Sequence, residues 1–332
     1  MIKFVVKRLL SMVVILLMLT AIVFLLQKLS HINPAHAYLG ANASQAAVNR
    51  ETHILGYDRP FIAQYFHYVS GLLRGNLEVS LRTRHPVSTD IVAFLPATVE
   101  LAVSGLFLAV VLGAVFGLIS AARFRGAGAF RMLLMSFASA PVFLLSLLGI
   151  LVLSGNLHWL PGTGDTSYTN APTGPTGIIV IDGLVHGQFA VAWDGVRHLI
   201  LPALVVALGP AVSIGRVLRG SLEASMLSDF ARTARAKGLK ERTVVLHHAL
   251  RNSVSAALSM TGLQVGLMFA GVVVVETIFA WPGIGLYVDQ SIPQADFPAI
   301  AGVTLVLGVG YVIINAIVDI LQAVVDPRVA LV

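Results

Sequence analysis

Residues Thr98–Ala122 read TVELAVSGLFLAVVLGAVFGLISAA, an apolar stretch with one charged side chain, Glu100. A helix needs about 20 apolar residues to cross the hydrocarbon core of a bilayer, and this stretch is longer than that. Backbone amides and carbonyls find no water in lipid, so a spanning segment of this kind satisfies them internally as a helix. The stretch therefore predicts a membrane-spanning α-helix.

Five other stretches have a similar length and apolar character. They are Leu9–Gln27, Met132–Ser154, Leu199–Leu218, Ala256–Ala280 and Val303–Val325. The chain of 332 residues is 57% hydrophobic and only 11% charged, whereas a soluble domain has roughly 25% charged residues. The sequence therefore predicts an all-α membrane protein with six transmembrane helices.

Lysine and arginine are concentrated in alternate segments between the predicted helices. The basic segments are the N-terminus and the loops after the second and fourth helices, with Lys3, Lys7, Arg8, Arg123, Arg125, Arg131, Arg219, Arg232, Arg235, Lys237, Lys240, Arg242 and Arg251. The loops after the third and fifth helices are mainly acidic, with Asp165, Asp182, Asp194, Asp289 and Asp296. Because short basic loops stay on the cytoplasmic side, both termini are predicted to be cytoplasmic.

The N-terminus imitates a secretory signal peptide. Basic residues precede an apolar run, and Ala35-His36-Ala37 resembles a cleavage site. The run of near 18 residues is longer than the usual apolar region of a signal peptide, about 7–15 residues, and Pro34 lies inside the would-be site. We expect this segment to remain as the first transmembrane helix.

Composition divides the chain into three parts. Residues 1–28 are the N-terminal tail and first helix, residues 29–97 are an external polar segment, and residues 98–332 are a five-helix core. The external segment contains an amphipathic helix that begins at Phe61 and repeats its apolar residues through Leu73. The core has an external loop at 155–198 and a cytoplasmic loop at 219–255. Within the external loop, Pro161–Gly177 (PGTGDTSYTNAPTGPTG) predicts a mobile loop without its own core.

The cytoplasmic loop contains the sequence DFARTARAKGL at Asp229–Leu239. Ser228 or Asp229 is a favourable helix N-cap, and Gly238 is a favourable C-cap. A short capped helix with small residues suits insertion into a groove on a partner protein, but an ordinary basic loop has the same composition. Alanines favour the helix, Phe230, Ala234 and Leu239 give it an apolar edge, and basic residues flank it. The candidate residues are Asp229, Phe230, Ala231, Arg232, Thr233, Ala234, Arg235, Ala236, Lys237, Gly238 and Leu239.

Several motifs along the chain carry a family resemblance. The motifs are Arg232-Thr-Ala-Arg-Ala-Lys-Gly-Leu239, His248-Ala-Leu-Arg-Asn252, Leu55-Gly-Tyr-Asp-Arg-Pro60, Glu276-Thr-Ile-Phe-Ala-Trp-Pro-Gly-Ile-Gly285 and Asp326-Pro-Arg328. Together they resemble the transmembrane permeases of bacterial ABC importers, in the dipeptide, oligopeptide and nickel branch, and its first-permease (B-type) subunit. The chain departs from that pattern at His31-Ile-Asn-Pro-Ala35, at Gly75-Asn-Leu-Glu78, and at Ala256, where a proline is usual.

The resemblance implies a type I ABC-importer permease fold in a bacterial inner membrane. It implies a second homologous permease, two cytoplasmic ATPases, an external substrate-binding protein and a peptide substrate as partners, within a lipid bilayer and without nucleic acid. ATP and magnesium would be bound by the ATPases, and this chain would bind no cofactor. The helix at 229–238 would couple the permease to an ATPase.

The resemblance also implies external sites. An external gate region would include Glu276, Trp281, Pro282, Gly283 and Gly285, with Trp281 as an anchor at the membrane interface. The external loop would contact the binding protein, and the candidate residues for this are Gly162, Asp165 and Tyr168.

The sequence offers little for catalysis or metal binding. It contains no cysteine, no G-x-x-x-x-G-K-[ST] phosphate loop and no H-E-x-x-H motif. His247 and His248 are adjacent, so their rings do not share one helix face, and no metal site is predicted. The sequence predicts a transport subunit and not an enzyme.

Alternatives remain open on the sequence alone. They are import of nickel or another small solute by the same machinery, a secondary transporter that works alone, and a scaffold without a transport role. Glu276, Asp319, Asn315 and Gln264 lie in or near predicted spans, where polar groups are costly. They suit either a proton relay or hydrogen bonds between helices. Glycines such as Gly105, Gly113 and Gly117 are interpreted as packing positions.

Overall fold

The computed structural model describes residues 2–29, 39, 43–54, 58–121, 126–172 and 174–325. Some sequence predictions lie outside these residues. They are the would-be cleavage site at 35–37, the basic positions 123 and 125, the motifs at 31–35 and 326–328, and the beginning of the motif at 55–60.

The described chain is helical, and β-type pairing in it is limited to one isolated bridge between Val79 and Pro86. In chain order the helices are α1 (Ile2–Leu29), α2 (Gln45–Ile54), α3 (Phe61–Leu73), α4 (Val87–Ala121), α5 (Ala127–Ser139), α6 (Val142–Gly149), α7 (Ile179–Val185), α8 (Phe189–Met226), α9 (Asp229–Ala236), α10 (Leu250–Phe279), α11 (Ile284–Ser291) and α12 (Phe297–Val325). A π-helical turn, Ile150–Asn156, continues α6. A short helix, Glu241–Thr243, and a second π-helical turn, Val244–Ala249, lead into α10.

Among the described residues, five helical segments are long and apolar enough to cross a membrane, and each overlaps one of the predicted apolar stretches. They are Leu10–Lys28, Val87–Ala121, Phe189–Met226, Glu241–Phe279 and Phe297–Val318. Several of them are longer than predicted. At about 1.5 Å per residue, the 38 residues of α8 extend about 57 Å, against about 30 Å for a hydrocarbon core. Much of the predicted cytoplasmic loop at 219–255 is therefore helical extension and not loop.

The remaining predicted span, Met132–Ser154, is not one continuous helix. Its two halves, Gly128–Ser139 and Val142–Asn156, are bent by 105° at a short break, and the pair counts as a sixth span only if both halves belong to one crossing. Pro141 has no N–H to donate, and its ring disfavours helical backbone at Ala140, whose ψ is 135°. The predicted span is therefore helical in both halves but broken at this point.

The described residues form two compact units. The first contains the chain up to Leu95 together with Ile284–Val312, and the second contains Pro96–Gly283 together with the residues after Val312. In the first unit, the predicted amphipathic helix α3 packs on α1. The ring of Phe24 lies 5.3 Å from that of Phe61 and 5.5 Å from that of Tyr65.

The first unit also contains a turn, Val79–Pro86, held by two buried carboxylates. Asp296 accepts hydrogen bonds from the Ser80 hydroxyl at 2.5 Å and from the Arg82 amide at 3.1 Å. Asp90 accepts hydrogen bonds from the Tyr287 hydroxyl at 2.9 Å and from the Thr83 hydroxyl at 2.5 Å. Burial, reinforced by Asp90, raises the pKa of Tyr287, so its hydroxyl remains a donor at physiological pH.

The second unit is built on the contact of α8 with α10. Its core includes Leu101, Leu201, Val206, Val272 and Phe279. Helix α4 approaches α8 closely, because a Cβ on Gly113 would lie 3.0 Å from the Ala211 carbonyl oxygen. The sequence interpretation of this glycine as a packing position is confirmed.

Candidate functional site

The predicted cytoplasmic helix is present as α9, and its C-terminal cap has the expected geometry. Gly238 has φ 77°, which places it in the left-handed region. The Gly238 amide donates to the Arg235 carbonyl at 2.9 Å, and the Leu239 amide donates to the Ala234 carbonyl at 3.3 Å. This pair of bonds is a Schellman motif, which ends the helix and satisfies its last carbonyls.

The N-terminal cap differs from the prediction. Ser228 occupies the N-cap position with extended backbone, but its hydroxyl makes no capping bond. The hydroxyl instead donates to the Ser225 carbonyl at 2.5 Å, at the end of α8. Ser228 therefore ties the start of α9 to the preceding helix.

One face of α9 packs against its own chain. Ala231 and Ala234 are buried beside Val244 and against Met226. Phe230 and Leu239, which the sequence grouped with Ala234 as one apolar edge, are exposed. The predicted edge is thus split. Ala234 lies between positions 230 and 231 around the helix, and the contacts with Val244 and Met226 are on the side of Ala231, which leaves Phe230 exposed.

Arg235 joins α9 to both flanking helices. Its Nε and Nη2 atoms donate to the two carboxylate oxygens of Glu241 at 3.0 and 2.9 Å. Its Nη1 atom donates to the Met226 carbonyl at 3.0 Å. The hydrogen bonds with Glu241 raise the pKa of Arg235 above its usual range. The sequence indicates only a cation beside the helix at position 235, because the separations of Glu241 and Met226 from Arg235 follow no helical spacing.

Outside the packed face, the residues of α9 and its C-terminal end are exposed. Arg232 pairs with Asp229 on the helix surface, while Thr233 donates its hydroxyl to the Asp229 carbonyl at 2.9 Å. Ala236 and Lys237 are exposed at the C-terminal end. The outer surface of α9 therefore offers Phe230, Leu239 and cationic side chains on a short helix fixed at both ends.

The predicted gate residues after α10 form a tight, buried turn. Ala280 has φ 48°, and the Trp281 amide donates to the Glu276 carbonyl at 2.9 Å. The Trp281 indole Nε1 donates to the Ala97 carbonyl at 2.9 Å, and the side chain is only 1% exposed. The expectation of an exposed interface anchor is wrong for Trp281, since its ring belongs to the core of the second unit.

Glu276 is fully buried beside this turn. A Cβ at Gly283 would overlap the Glu276 carboxylate, so glycine is required there for the turn to close over the acid. Pro282 lies between Trp281 and Gly283. Gly285 is buried in α11, which belongs to the first unit.

The loop that the sequence predicts to be external lies in the second unit and is attached at two carboxylates. Asp194 accepts hydrogen bonds from the Thr166 hydroxyl at 3.0 Å and the Ser167 amide at 2.6 Å. Burial of Asp182 alone would raise its pKa. Hydrogen bonds to its carboxylate outweigh this effect and lower the pKa, and the first of them comes from the Thr176 hydroxyl at 2.7 Å. The described part of Pro161–Gly177 contains no helix, and the loop, which was predicted to be mobile, is fixed at these points.

The three loop residues predicted to contact a binding protein are not equally accessible. Tyr168 is exposed, whereas Gly162 and Asp165 are partly buried. A Cβ on Gly162 would lie 2.7 Å from the Ser154 hydroxyl. Burial raises the pKa of Asp165. Contact with a binding protein stays a prediction, and Tyr168 is the residue best placed for it.

The chain matches two protein families along nearly its whole length. Residues 95–331 match the binding-protein-dependent transport system inner membrane component. Residues 1–102 match the N-terminal part of the binding-protein-dependent transport system membrane component.

Individual relatives agree with these matches. The chain is 35% identical to the dipeptide transport system permease protein DppB of Alkalihalophilus pseudofirmus, covering 99% of both chains. It is 36% identical to the di/tripeptide transport system permease protein DppB of Pseudomonas aeruginosa, again covering 99% of both. It is 33% identical to the dipeptide transport system permease protein DppB of Escherichia coli K12, over 86% of this chain and 88% of that one.

Proposed function

Because this chain belongs to the family of binding-protein-dependent transport system inner membrane components, we propose that it forms half of the pathway of an ATP-driven peptide importer and is driven through α9. The chain itself is a permease subunit of an ABC peptide importer, in agreement with relatives named as dipeptide permeases. The proposal adds the partners, the orientation and the coupling residues.

The observation that carries the proposal is the attachment of α9. Arg235 bonds to Met226 at the end of α8 and to Glu241 at the start of the helical segment that leads into α10. A force applied to α9 would therefore act on the two long helices that form the centre of the second unit. An ATPase that binds the exposed Phe230 and Leu239 would have a direct mechanical connection to the bundle.

The proposed cycle uses this connection to shift a conformational equilibrium. ATP binding would close two cytoplasmic ATPases and move α9, which would favour one state of the bundle over the other. To reverse a population from 1:99 to 99:1, the differential binding must amount to about 5.5 kcal/mol. An external binding protein would contribute to this preference from the opposite side, and a second homologous permease would complete the pathway.

The orientation follows the distribution of basic residues. We assign α9 and both termini to the cytoplasm and the Pro161–Gly177 loop to the exterior of a bacterial inner membrane. A cysteine in place of Lys237 tests this, since the chain has no cysteine of its own. We expect a membrane-impermeant maleimide to label that cysteine from the cytoplasmic side only. Labelling from the exterior alone would overturn both the orientation and the coupling role.

The coupling role is tested by changing the exposed surface of α9. We expect Phe230→Asp to abolish peptide uptake and co-purification of the ATPase without altering the unfolding midpoint, because the side chain is exposed and an acid opposes an apolar contact. Leu73→Asp is the matched control, since Leu73 is a still more exposed apolar residue at the end of α3. Normal uptake and normal ATPase association in Phe230→Asp would remove α9 from the coupling mechanism.

The alternatives from the sequence are separable by the same preparations. A nickel importer would accumulate nickel and not peptide in proteoliposomes that contain the whole complex. The stand-alone secondary transporter is disfavoured, because the family is one of binding-protein-dependent systems. Uptake by the purified chain without ATPases would reinstate it.

A further inference from the structure

A cavity lies in the second unit between α8, α10 and the bend that follows α5. Its volume is about 270 Å³, and its wall includes Gly209, Pro210, Ser213, Gln264 and Gly271. This is close to the lower end of ligand pockets in proteins, about 300 Å³. Gln264 lies halfway between Leu250 and Phe279, and Gly209 lies near the middle of α8. By their positions along two apolar spans, these residues belong near the centre of the membrane.

We propose that this cavity holds the main chain of the peptide during its passage, with Gln264 as the principal hydrogen-bonding residue. This inference rests on the proposed import function and extends it to the lining of the pathway.

The Gln264 amide is available for a ligand. The residue is only 7% exposed, yet its side chain has no hydrogen bond to any residue that the structure describes. Its amide oxygen and nitrogen are not fully closed off by protein, so they are open to the cavity and available as an acceptor and a donor. Because Gln264 lines the cavity, a molecule that enters the cavity is placed to satisfy it.

The Ser213 hydroxyl is also available for a ligand. In the same unit, Ser146, Ser253 and Thr261 donate their hydroxyls to the carbonyl four residues earlier in the helix. This is the usual way for a hydroxyl in an apolar helix to satisfy itself. Ser213 makes no such bond within the described chain and lines the cavity instead. Its hydroxyl is a second polar group available to a ligand.

The backbone of α8 offers a further acceptor. Pro210 lacks an N–H, so the Val206 carbonyl loses its normal helical donor, and both residues line the cavity. Gly209 has open space where a Cβ would stand. On the opposite wall, Ala138 and Val142 flank the break at Pro141. Irregular helices are tolerated at membrane depth where they border a cavity.

The chemistry of the lining selects a neutral amide ligand. An amide, a hydroxyl and a free carbonyl provide both donors and acceptors, as a peptide main chain requires. The lining contains no charged or imidazole side chain, so it lacks the ligands that a nickel ion prefers. Such a site would accept peptides of different sequence, because it contacts the atoms that all peptides share.

The inference is tested in proteoliposomes that contain the complete importer, with radiolabelled trialanine as the probe. We expect Gln264→Leu to lower uptake about tenfold, the loss typical of one hydrogen bond, while ATPase activity stimulated by the binding protein persists. Thr261→Val is the matched control. It removes a hydroxyl from the same helix one turn away, where the hydroxyl bonds to the Ala257 carbonyl and does not line the cavity.

A second pair of variants fills space instead of removing a bond. Gly209→Leu places a side chain in the cavity and should block uptake, whereas Gly128→Leu adds the same side chain to open space in α5 and should not. In addition, a cysteine introduced by Gln264→Cys should react with maleimide more slowly when trialanine is present in excess.

The outcomes separate the cavity from the wider function. If the wild-type complex imports trialanine and both Gln264→Leu and Gly209→Leu match it, the cavity assignment is overturned and the import function stands. If Gln264→Leu loses the second permease on purification, Gln264 is a contact between subunits and the assignment is likewise overturned. If the wild-type complex imports no peptide, the proposed function and the cavity assignment both fall.

Discussion

Helix α9 and the turn Val79–Pro86 are fixed in place by contacts that differ in their exposure to solvent. Each is a short segment beside long apolar helices, and each depends on carboxylates for its position. The turn is held by Asp296 and Asp90, which are buried, whereas the carboxylate that holds α9 is that of Glu241, which is exposed. Buried hydrogen bonds to a carboxylate are costly to break, while exposed ion pairs contribute little. By this difference the turn is fixed more firmly than α9, as the proposed coupling role of α9 requires.

The strongest challenge to the comparison is the removal of Asp296. Asp296→Ala would leave the Ser80 hydroxyl and the Arg82 amide without their acceptor, and would remove the side-chain cap of α12, where the Ala299 amide donates at 3.3 Å. We expect a loss of roughly 3 kcal/mol or more, measured as a lower unfolding midpoint in detergent. Asp289→Ala, at an exposed acid in α11, is the control. Equal midpoints for the two variants would contradict the fixed role of the turn.

A smaller effect is expected from the packed face of α9. Ala231→Leu forces a large side chain against Val244 and Met226, and overpacking of this kind costs about 1–3 kcal/mol. Hydrogen exchange of the α9 amides should accelerate, and peptide uptake should fall, because the helix is displaced from its seat. Ala236→Leu adds the same side chain at an exposed position of the same helix and should change neither. If the α9 amides exchange at the same rate in both variants, the packing of Ala231 against Val244 and Met226 does not hold α9 in place.

Substitutions at Gly238, in the C-terminal cap of α9, give a third test, which separates backbone strain from steric clash. Nothing lies within 4 Å of the position of a Cβ on Gly238, so a substitution there acts only through φ 77°. Gly238→Val should cost about 1–2 kcal/mol and fray the C-terminal turn in hydrogen exchange. Gly238→Asn should cost less, because asparagine tolerates the left-handed region. Equal fraying in both variants would show that the left-handed cap does not limit the helix end.

The smallest effect is expected at the exposed ion pair. Arg235→Lys keeps the charge but loses the paired bonds to Glu241, and we expect an unfolding midpoint close to that of the wild type. Hydrogen exchange of α9 should become faster, and raising the salt concentration should reduce this difference, since salt screens exposed charges. Arg232→Lys, on the outer surface of the helix, is the control. If the unfolding midpoint of Arg235→Lys fell as far as that of Asp296→Ala, the exposed contacts of α9 would be as important for stability as the buried contacts of the turn.

Much of the fold was predictable because its signal is local. Apolar runs longer than 18 residues identified five spanning helices, and the alanines and Gly238 identified α9. The bend after Ser139 was missed although its signal is also local, since Pro141 follows the first half of the run. Weighing that proline against the apolar length would have predicted it.

The features that no local pattern indicated are contacts between distant residues. Ser80 and Asp296 are 216 positions apart, and no spacing rule connects them. The burial of Trp281 depends likewise on the Ala97 carbonyl, so the sequence alone suggested an exposed ring. The cavity beside Gln264 was equally hidden, because its wall combines three separate parts of the chain.

The separation of Ser80 from Asp296 has a consequence for biosynthesis. At about 5–20 residues per second, a ribosome needs roughly 10–40 s to make the 216 residues between them. Throughout that interval the nascent turn lacks its acceptor, and Asp90 lacks the hydroxyl of Tyr287. The first unit is thus completed only after most of the second has been synthesised, and a chain truncated before Ile284 would leave the Ser80 hydroxyl and the Arg82 amide without their acceptor.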